Sequence, residues 1–236
     1  MALMMVSSAR ITQWLALLFA LMLPNLVHAQ QKSDCPKRLG IISNDRLSEH
    51  VLDNMLEVYR ALGCRVDIID LPGRRGFIAF NSGQIDGEVL RFPIGAKQYT
   101  RPFVRSEVPL LEISNSLWGT AGSKRYSDET IGYTIGIAWQ EQYLQATMLP
   151  NSGHHDIGDV LLHYNTGTFE RFLAEDSTIR RAIRKRTFTK GREPVQIEVL
   201  KVGPVYHYLS DEYAAFMKRF SNYIAKHNPF DGGEMM

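Results

Sequence analysis

The chain has 236 residues, 27 lysines and arginines against 25 acidic residues, and 44% hydrophobic side chains. That length permits one large domain or two smaller lobes, each able to bury a core. A net charge of +2 leaves no electrostatic case for nucleic-acid binding.

The first segment reads as an export signal. Arg10 is followed by the apolar run Trp14 to Leu23, then Pro24 and the small-residue ending Val27-His28-Ala29, which predicts cleavage after Ala29. The apolar run is too short for a membrane span, which needs roughly 20 residues. A periplasmic product of about 207 residues with net charge +1 is expected. Two cysteines remain, Cys35 and Cys64. Each stands just before an apolar run, at the entrance of one of two strands joined by a helix. If those strands are parallel neighbours, the two entrances lie within disulfide reach. An oxidising compartment favours the bond, and two free buried thiols are the alternative.

The predicted elements then follow in order. A strand over Arg38–Ser43 leads to a helix from about Ser48 to Leu62, with Val51, Leu52, Met55, Leu56, Tyr59 and Leu62 on one face, Ser48 as cap and Gly63 as stop. A strand over Arg65–Leu71 comes next, and Pro72-Gly73 turns into a second helix. In GRRGFIAFNSGQIDGEVLR, residues 73–91, Phe77, Ile78 and Phe80 suit one side of a short helix and Asn81-Ser82-Gly83 ends it. Ile85–Leu90 suits a buried strand, and Arg91 leaves its carboxyl end. Ligands collect at such ends in open α/β sheets, where a guanidinium offers a planar fork for a carboxylate or phosphate. The bland alternative is an internal ion pair of Arg91 with Asp86 or Glu88.

Val108–Trp118 is extended and apolar, and residues 119–130 are polar and turn-rich. A strand over Tyr133–Ala138 opens a second α/β series. It continues with a helix over about Gln140–Met148, a link at Asn151-Ser152-Gly153 and a helix near Thr168–Asp176. The basic run Arg180, Arg181, Arg184, Lys185, Arg186, Lys190 and Arg192 reads as a solvated helix face and loop. Pro194–Val202 alternates like a strand, and a final helix over about Ser210–Ala225 carries Tyr213, Phe216, Met217, Phe220, Tyr223 and Ile224 on one side. Two α/β series joined by extended segments describe two lobes with two crossovers and a cleft between them. The expected boundaries are 30–115 for the first lobe, 116–200 for the second, and 201–236 for a return to the first.

The order of parts resembles the family 3 periplasmic solute-binding proteins of the type 2 fold, associated with amino-acid uptake, as a divergent branch. The resemblance rests on Arg75 to Arg91, Pro109-Leu110, IGYTIGIAWQ from Ile131, GTFERFLAED from Gly167, and the ending from Val205 to Lys226. It implies a two-lobed α/β fold and a small, amino-acid-like ligand held by cleft closure, and arginines at the ends of two adjacent strands favour an anionic or zwitterionic one. It also implies delivery to a membrane transporter or a sensor receptor, and a monomer without cofactor. The cleft would be lined from strand ends by Asn44, Asp45 and Arg46, by Arg74 and Arg75, by Arg91 and Phe92, and by Trp139 and Gln140. Asp45 would pair a ligand amine and Trp139 would stack on the ligand; the alternatives are surface charge for Arg74 or Arg75, a cap of the turn before the Ser48 helix for Asp45, and a core position for Trp139. Leu111–Ser116 and Lys201–Val205 would absorb the hinge rotation.

Other chemistries fare worse. His154, His155, Asp156 and His163 match no familiar zinc spacing, and no G-x-S-x-G elbow is present. Glu170 and Glu175 are expected to be exposed on a helix. The chain is therefore read as a binding protein and not an enzyme. A sensory or accessory protein presenting a surface to a receptor, or a small lyase or hydrolase on the same fold, stands as the alternative.

Overall fold

β1 (Arg38–Ile42) and β2 (Asp67–Leu71) are parallel and in register from Arg38↔Asp67 to Ile42↔Leu71, with α1 (Arg46–Ala61) crossing between them. The computed structural model describes residues 34–43, 46–124 and 128–230. The expected leader over residues 1–29 and the candidates Asn44 and Asp45 lie outside the described residues, as does the side chain of Arg46.

The parallel register places the two strand entrances side by side, and Cys35 and Cys64 form a disulfide with Cα atoms 5.5 Å apart. Closing a loop of this length restricts the unfolded chain by roughly 3.5 kcal/mol. In α1, Val51, Met55, Val58 and Tyr59 are buried. Gly63, at φ 79°, ends the helix in the left-handed region, where a side chain would be strained. The helix begins at Arg46, so Ser48 lies inside its first turn and not at the expected cap.

α2 (Gly73–Asn81) buries Phe77 and Phe80, while Ile78 is 61% exposed. At 3.6 residues per turn, adjacent positions diverge by about 100°, so Phe77 and Ile78 cannot share a buried face. β3 (Gly87–Arg91) is buried throughout and runs parallel to β1. A short 3-10 turn (Gly95–Gln98), β4 (Phe103–Arg105) and β5 (Leu111–Gly119) follow.

The second series is β6 (Ile131–Thr134), α3 (Ala138–Thr147), β7 (Asn151–His154), α4 (Ile157–Asn165), β8 (Arg171–Glu175) and α5 (Asp176–Arg184). Here the structure departs from expectation in three places. The strand expected over 133–138 ends at Thr134, because Gly136 turns at φ 86°. The link at 151–153 is β7, paired in parallel with β6, and α4 follows it. The helix expected near 168–176 is the buried strand β8, set between β5 and β6. Phe172, Leu173 and Ala174 are consecutive and all buried, a pattern that satisfies no amphipathic helix but suits a strand covered on both faces.

β9 (Val195–Ser210) spans 16 residues and joins the two halves, and α6 (Ala214–His227) closes the chain on the first half. The strand order is β2-β1-β3-β9-β5-β8-β6-β7, with β4 also on β9. β9 pairs with β3 over Tyr206–Leu209 and with β5 over Val195–Val205, while β5 pairs with β8 over Asn115–Gly119. Between these stretches Leu111–Ser114 faces Val205–Val202 alone, a two-stranded ribbon that carries both crossovers. One core gathers Leu39, Met55, Tyr59, Val89, Leu209 and Phe216. The other gathers Trp118, Val160, Tyr164, Phe172 and Ile179. The architecture is an α/β fold of two lobes.

Candidate functional site

A cavity of about 100 Å³ lies where the carboxyl ends of β1, β3, β6 and β8 converge from the two lobes. Ile42, Leu90, Arg91 and Phe92 line it from the first lobe, Thr134, Ile137, Trp139, Gln140 and Glu175 from the second, Ile113 and Val205 from the ribbon, and Asn115 from β5 just beyond it. Strand ends gather here because each parallel strand hands its chain to a loop or helix N-terminus at the same edge.

Arg91 faces this space but its fork is engaged within the first lobe. Nε donates to Glu88 Oε2 at 2.9 Å and Nη2 to Glu88 Oε1 at 2.6 Å, while Nη2 also donates to the Gly73 carbonyl at 3.1 Å. The Phe77 ring lies 4.5 Å from the guanidinium carbon. Tyr99 donates its hydroxyl to Glu88 Oε2. Burial, and then the Glu88 charge, push the Tyr99 pKa well above its ordinary value, so it remains a donor. A Cβ on Gly76 would overlap Glu88 Oε1, which explains a glycine inside α2 at this point. The ion pair named as the bland alternative is thus present, and Glu88 is the partner.

Behind this pair sits a buried histidine that sequence reasoning missed. His207 Nδ1 faces the carbonyls of Glu88 at 2.8 Å and Val89 at 3.2 Å, so that nitrogen carries the proton and Nε2 accepts from Tyr59 Oη at 2.8 Å. Burial lowers its pKa to about 4 despite those carbonyl bonds. Its only sequence signal was alternation: within PVYHYLS it falls on the inward side with Val205 and Leu209.

In the second lobe, Trp139 and Gln140 both reach the cavity and are both buried. Trp139 packs with Leu117, Leu144 and Leu173, and Phe92 and Ile94 of the first lobe pack against the same cluster. Gln140 accepts from the Thr134 backbone at 2.7 Å and donates to the Leu173 carbonyl at 3.4 Å, which holds the β6–α3 turn onto β8. Glu175 was expected exposed on a helix; it ends β8 and caps α5. Its carboxylate accepts from the Ser177 backbone at 2.7 Å, the Ser177 hydroxyl at 2.8 Å and the Thr178 backbone at 2.8 Å. The compensating charge is the positive end of α5. The neighbouring Asp176 is buried and accepts from Ser114, Trp118 and Gln196 at 2.7, 3.2 and 2.8 Å, tying α5 to both ribbon strands. Its signal in the sequence was missed because the segment was assigned to a helix.

The lobes touch at the cavity's edge. The start of α2 meets the β6–α3 turn so closely that a Cβ on Gly136 would overlap the Arg74 amide, and one on Gly73 would lie 2.9 Å from the Ile135 carbonyl. Arg74 Nη2 reaches across to Glu141 Oε1 at 2.8 Å, and Glu141 also accepts from the Gly136 amide. Arg74 is therefore an interlobe contact at the surface and does not line the cavity, and Arg75 is exposed and does not line it either. α1 also approaches α5.

No family model and no curated protein matches the sequence. Solved structures do match in shape. Holo ArgBP from T. maritima superposes with a TM-score of 0.66 at 15% identity, over 83% of this chain and 92% of that one. An arginine 3rd transport system periplasmic binding protein from Legionella pneumophila gives 0.64 at 16%, over 81% and 93%. The substrate binding protein of an amino acid ABC transporter gives 0.62 at 12%, over 83% and 95%. The fold is that of the two-lobed periplasmic binding proteins.

The remaining clusters do not join the site. His154 and His163 stack with ring centroids 4.6 Å apart, and burial followed by the His163 charge lowers the His154 pKa. Among the described residues no three His, Cys, Asp or Glu side chains are grouped to hold a metal ion. Glu170 pairs with Arg192 at 3.1 Å and does not line the cavity. Arg180 donates to Gln196 at 3.1 Å, so the basic run is divided between local contacts and solvent.

Proposed function

We propose that this protein binds a small, amine-bearing solute between its lobes in the periplasm and reports or delivers it by closure. The observation that carries this reading is the cavity itself, built from strand ends of both lobes and bordered by direct interlobe contact. A ligand shifts an open–closed equilibrium only by touching the two states differently, and a cavity walled by both lobes meets that requirement. The ribbon at Leu111–Ser114 and Val202–Val205 would take up the rotation.

The ligand's chemistry follows from the walls. Aromatic and aliphatic side chains dominate, Glu175 supplies a carboxylate, and Trp139 supplies a flat face for an apolar or cationic group. The anionic or zwitterionic expectation drew on free guanidinium groups; of the three arginines, only Arg91 reaches the cavity. The closed volume suits a compact solute, since an apolar cavity of about 150 Å³ accommodates benzene. Names of the structural neighbours, which include arginine and amino-acid transport, support an amino-acid-sized ligand and a transporter partner. Sensing through a membrane receptor uses the same closed state. The protein works as a monomer that binds and does not transform its ligand.

Gly136→Ala tests the reading. The substitution places a methyl group against the Arg74 amide of the other lobe and forces a φ of 86° on a side-chained residue. The folded lobes should persist while closure fails, so ligand affinity drops at least about tenfold and scattering shows no compaction on ligand addition. A variant that binds and compacts like the parent sinks the reading.

A further inference from the structure

This inference rests on the solute-binding reading above and names the ligand class. We infer that Glu88 is an internal stand-in for a ligand carboxylate, so that the cavity selects amines and amides and rejects amino acids with a free carboxylate.

A guanidinium has five N–H groups and offers two bidentate forks, one from Nε with an Nη and one from the Nη pair. In Arg91, Nε and one N–H of Nη2 go to the two oxygens of Glu88, and Nη2 also donates to the Gly73 carbonyl. Nη2 belongs to both forks. Neither fork is open to a second carboxylate.

Displacing Glu88 is not a low-cost alternative. Its side chain is almost fully buried, Tyr99 donates to it, and the missing Cβ of Gly76 shapes the space it fills. Moving it would strand one buried charge and the phenol together. An entering carboxylate would instead meet Glu88 across the shared guanidinium and Glu175 from the second lobe. Like charges placed this way repel one another and disfavour the carboxylate form of the ligand. Among the described lining residues, Arg91 is cancelled by Glu88 and Glu175, partly offset by the start of α5, is the other charged group facing the cavity, while the walls of Phe77, Phe92 and Trp139 favour an apolar body. A compact apolar ammonium without a carboxylate fits both features.

The decisive experiment uses isosteric pairs on the full exported chain. Binding of valine against valinamide, and of alanine against alaninamide, is measured by calorimetry, with isobutylamine as the carboxylate-free reference. The expected result is an amide preference of about 100-fold within each pair. Glu88→Gln should narrow that preference, because the substitution removes the internal negative charge while keeping the side chain's size. The wild-type pairs decide the matter even where the variant does not fold. Equal or tighter binding of the amino acids overturns this inference and leaves solute binding intact. If amides, amine and amino acids all fail to bind, the solute-binding reading falls and this inference falls with it.

Discussion

The ends of β3 and β8 occupy matching places in the two lobes, and each presents a charged residue to the same cavity. Each is the third strand of its series, flanked by a parallel partner on one side and an antiparallel crossover strand on the other. Arg91 ends the first and Glu175 the second. The difference lies in what compensates them. A carboxylate three residues upstream matches Arg91 one-for-one, while Glu175 accepts hydrogen bonds from the amide groups and a hydroxyl of a helix start. A charge at a strand end thus finds its compensation in a side-chain partner or in a helix start according to its immediate neighbours.

The largest test of that contrast is removal of one partner of the buried pair. Glu88→Ala leaves a buried guanidinium without its carboxylate and should cost about 3–5 kcal/mol in denaturant unfolding. The double variant Glu88→Leu/Arg91→Met should recover most of the loss. A double variant as unstable as the sum of the singles would show that the two residues act independently.

The first lobe should also be the more acid-sensitive, since its His207 is the more strongly shifted of the two described histidines with a lowered pKa. His207 has a folded-state pKa of about 4 against an unfolded value near 6.5. Between those values the unfolded chain binds the extra proton and the folded chain does not, so stability is intact above about pH 6.5 and is lost as pH falls toward 4. The expected loss is roughly 3 kcal/mol. His207→Gln should flatten this slope in unfolding curves taken across the window, and an unchanged slope would assign it to other groups.

At the β8 end the effect should be smaller. Glu175→Ala removes a helix cap, which costs about 1 kcal/mol of stability, and also removes the charge proposed to hold the ligand amine. Stability and affinity should therefore separate: a modest fall in unfolding free energy with a large fall in isobutylamine binding. Parallel modest falls would reduce Glu175 to a cap. Smallest of all, Arg74→Ala deletes an exposed interlobe pair. A loss under about 1 kcal/mol is expected, read as a slight weakening of ligand affinity that vanishes at high salt.

Much of the frame was legible residue by residue. The α1 stripe, the Gly63 stop and the apolar runs beginning at Leu39 and Val66 put a βαβ unit first, and the two cysteines at the strand entrances followed from its parallel geometry. The reading failed where a short apolar run was ambiguous. Phe172-Leu173-Ala174 has no period to separate strand from helix, and only its place between β5 and β6 makes it a strand. With β8 misassigned, Glu175 and Asp176 lost their meaning as strand end and helix start.

The first βαβ unit, the disulfide pairing and the arginine at the end of β3 were determined by the sequence alone, because each depends on residues close along the chain or on the handedness of a single unit. The partner of Arg91, the burial of His207, the surface position of Arg74 and the meeting of Gly73 with Gly136 were decided by tertiary structure. Those depend on which side chains two separate elements bring within a few ångströms, and on a balance of desolvation against pairing that periodicity does not encode.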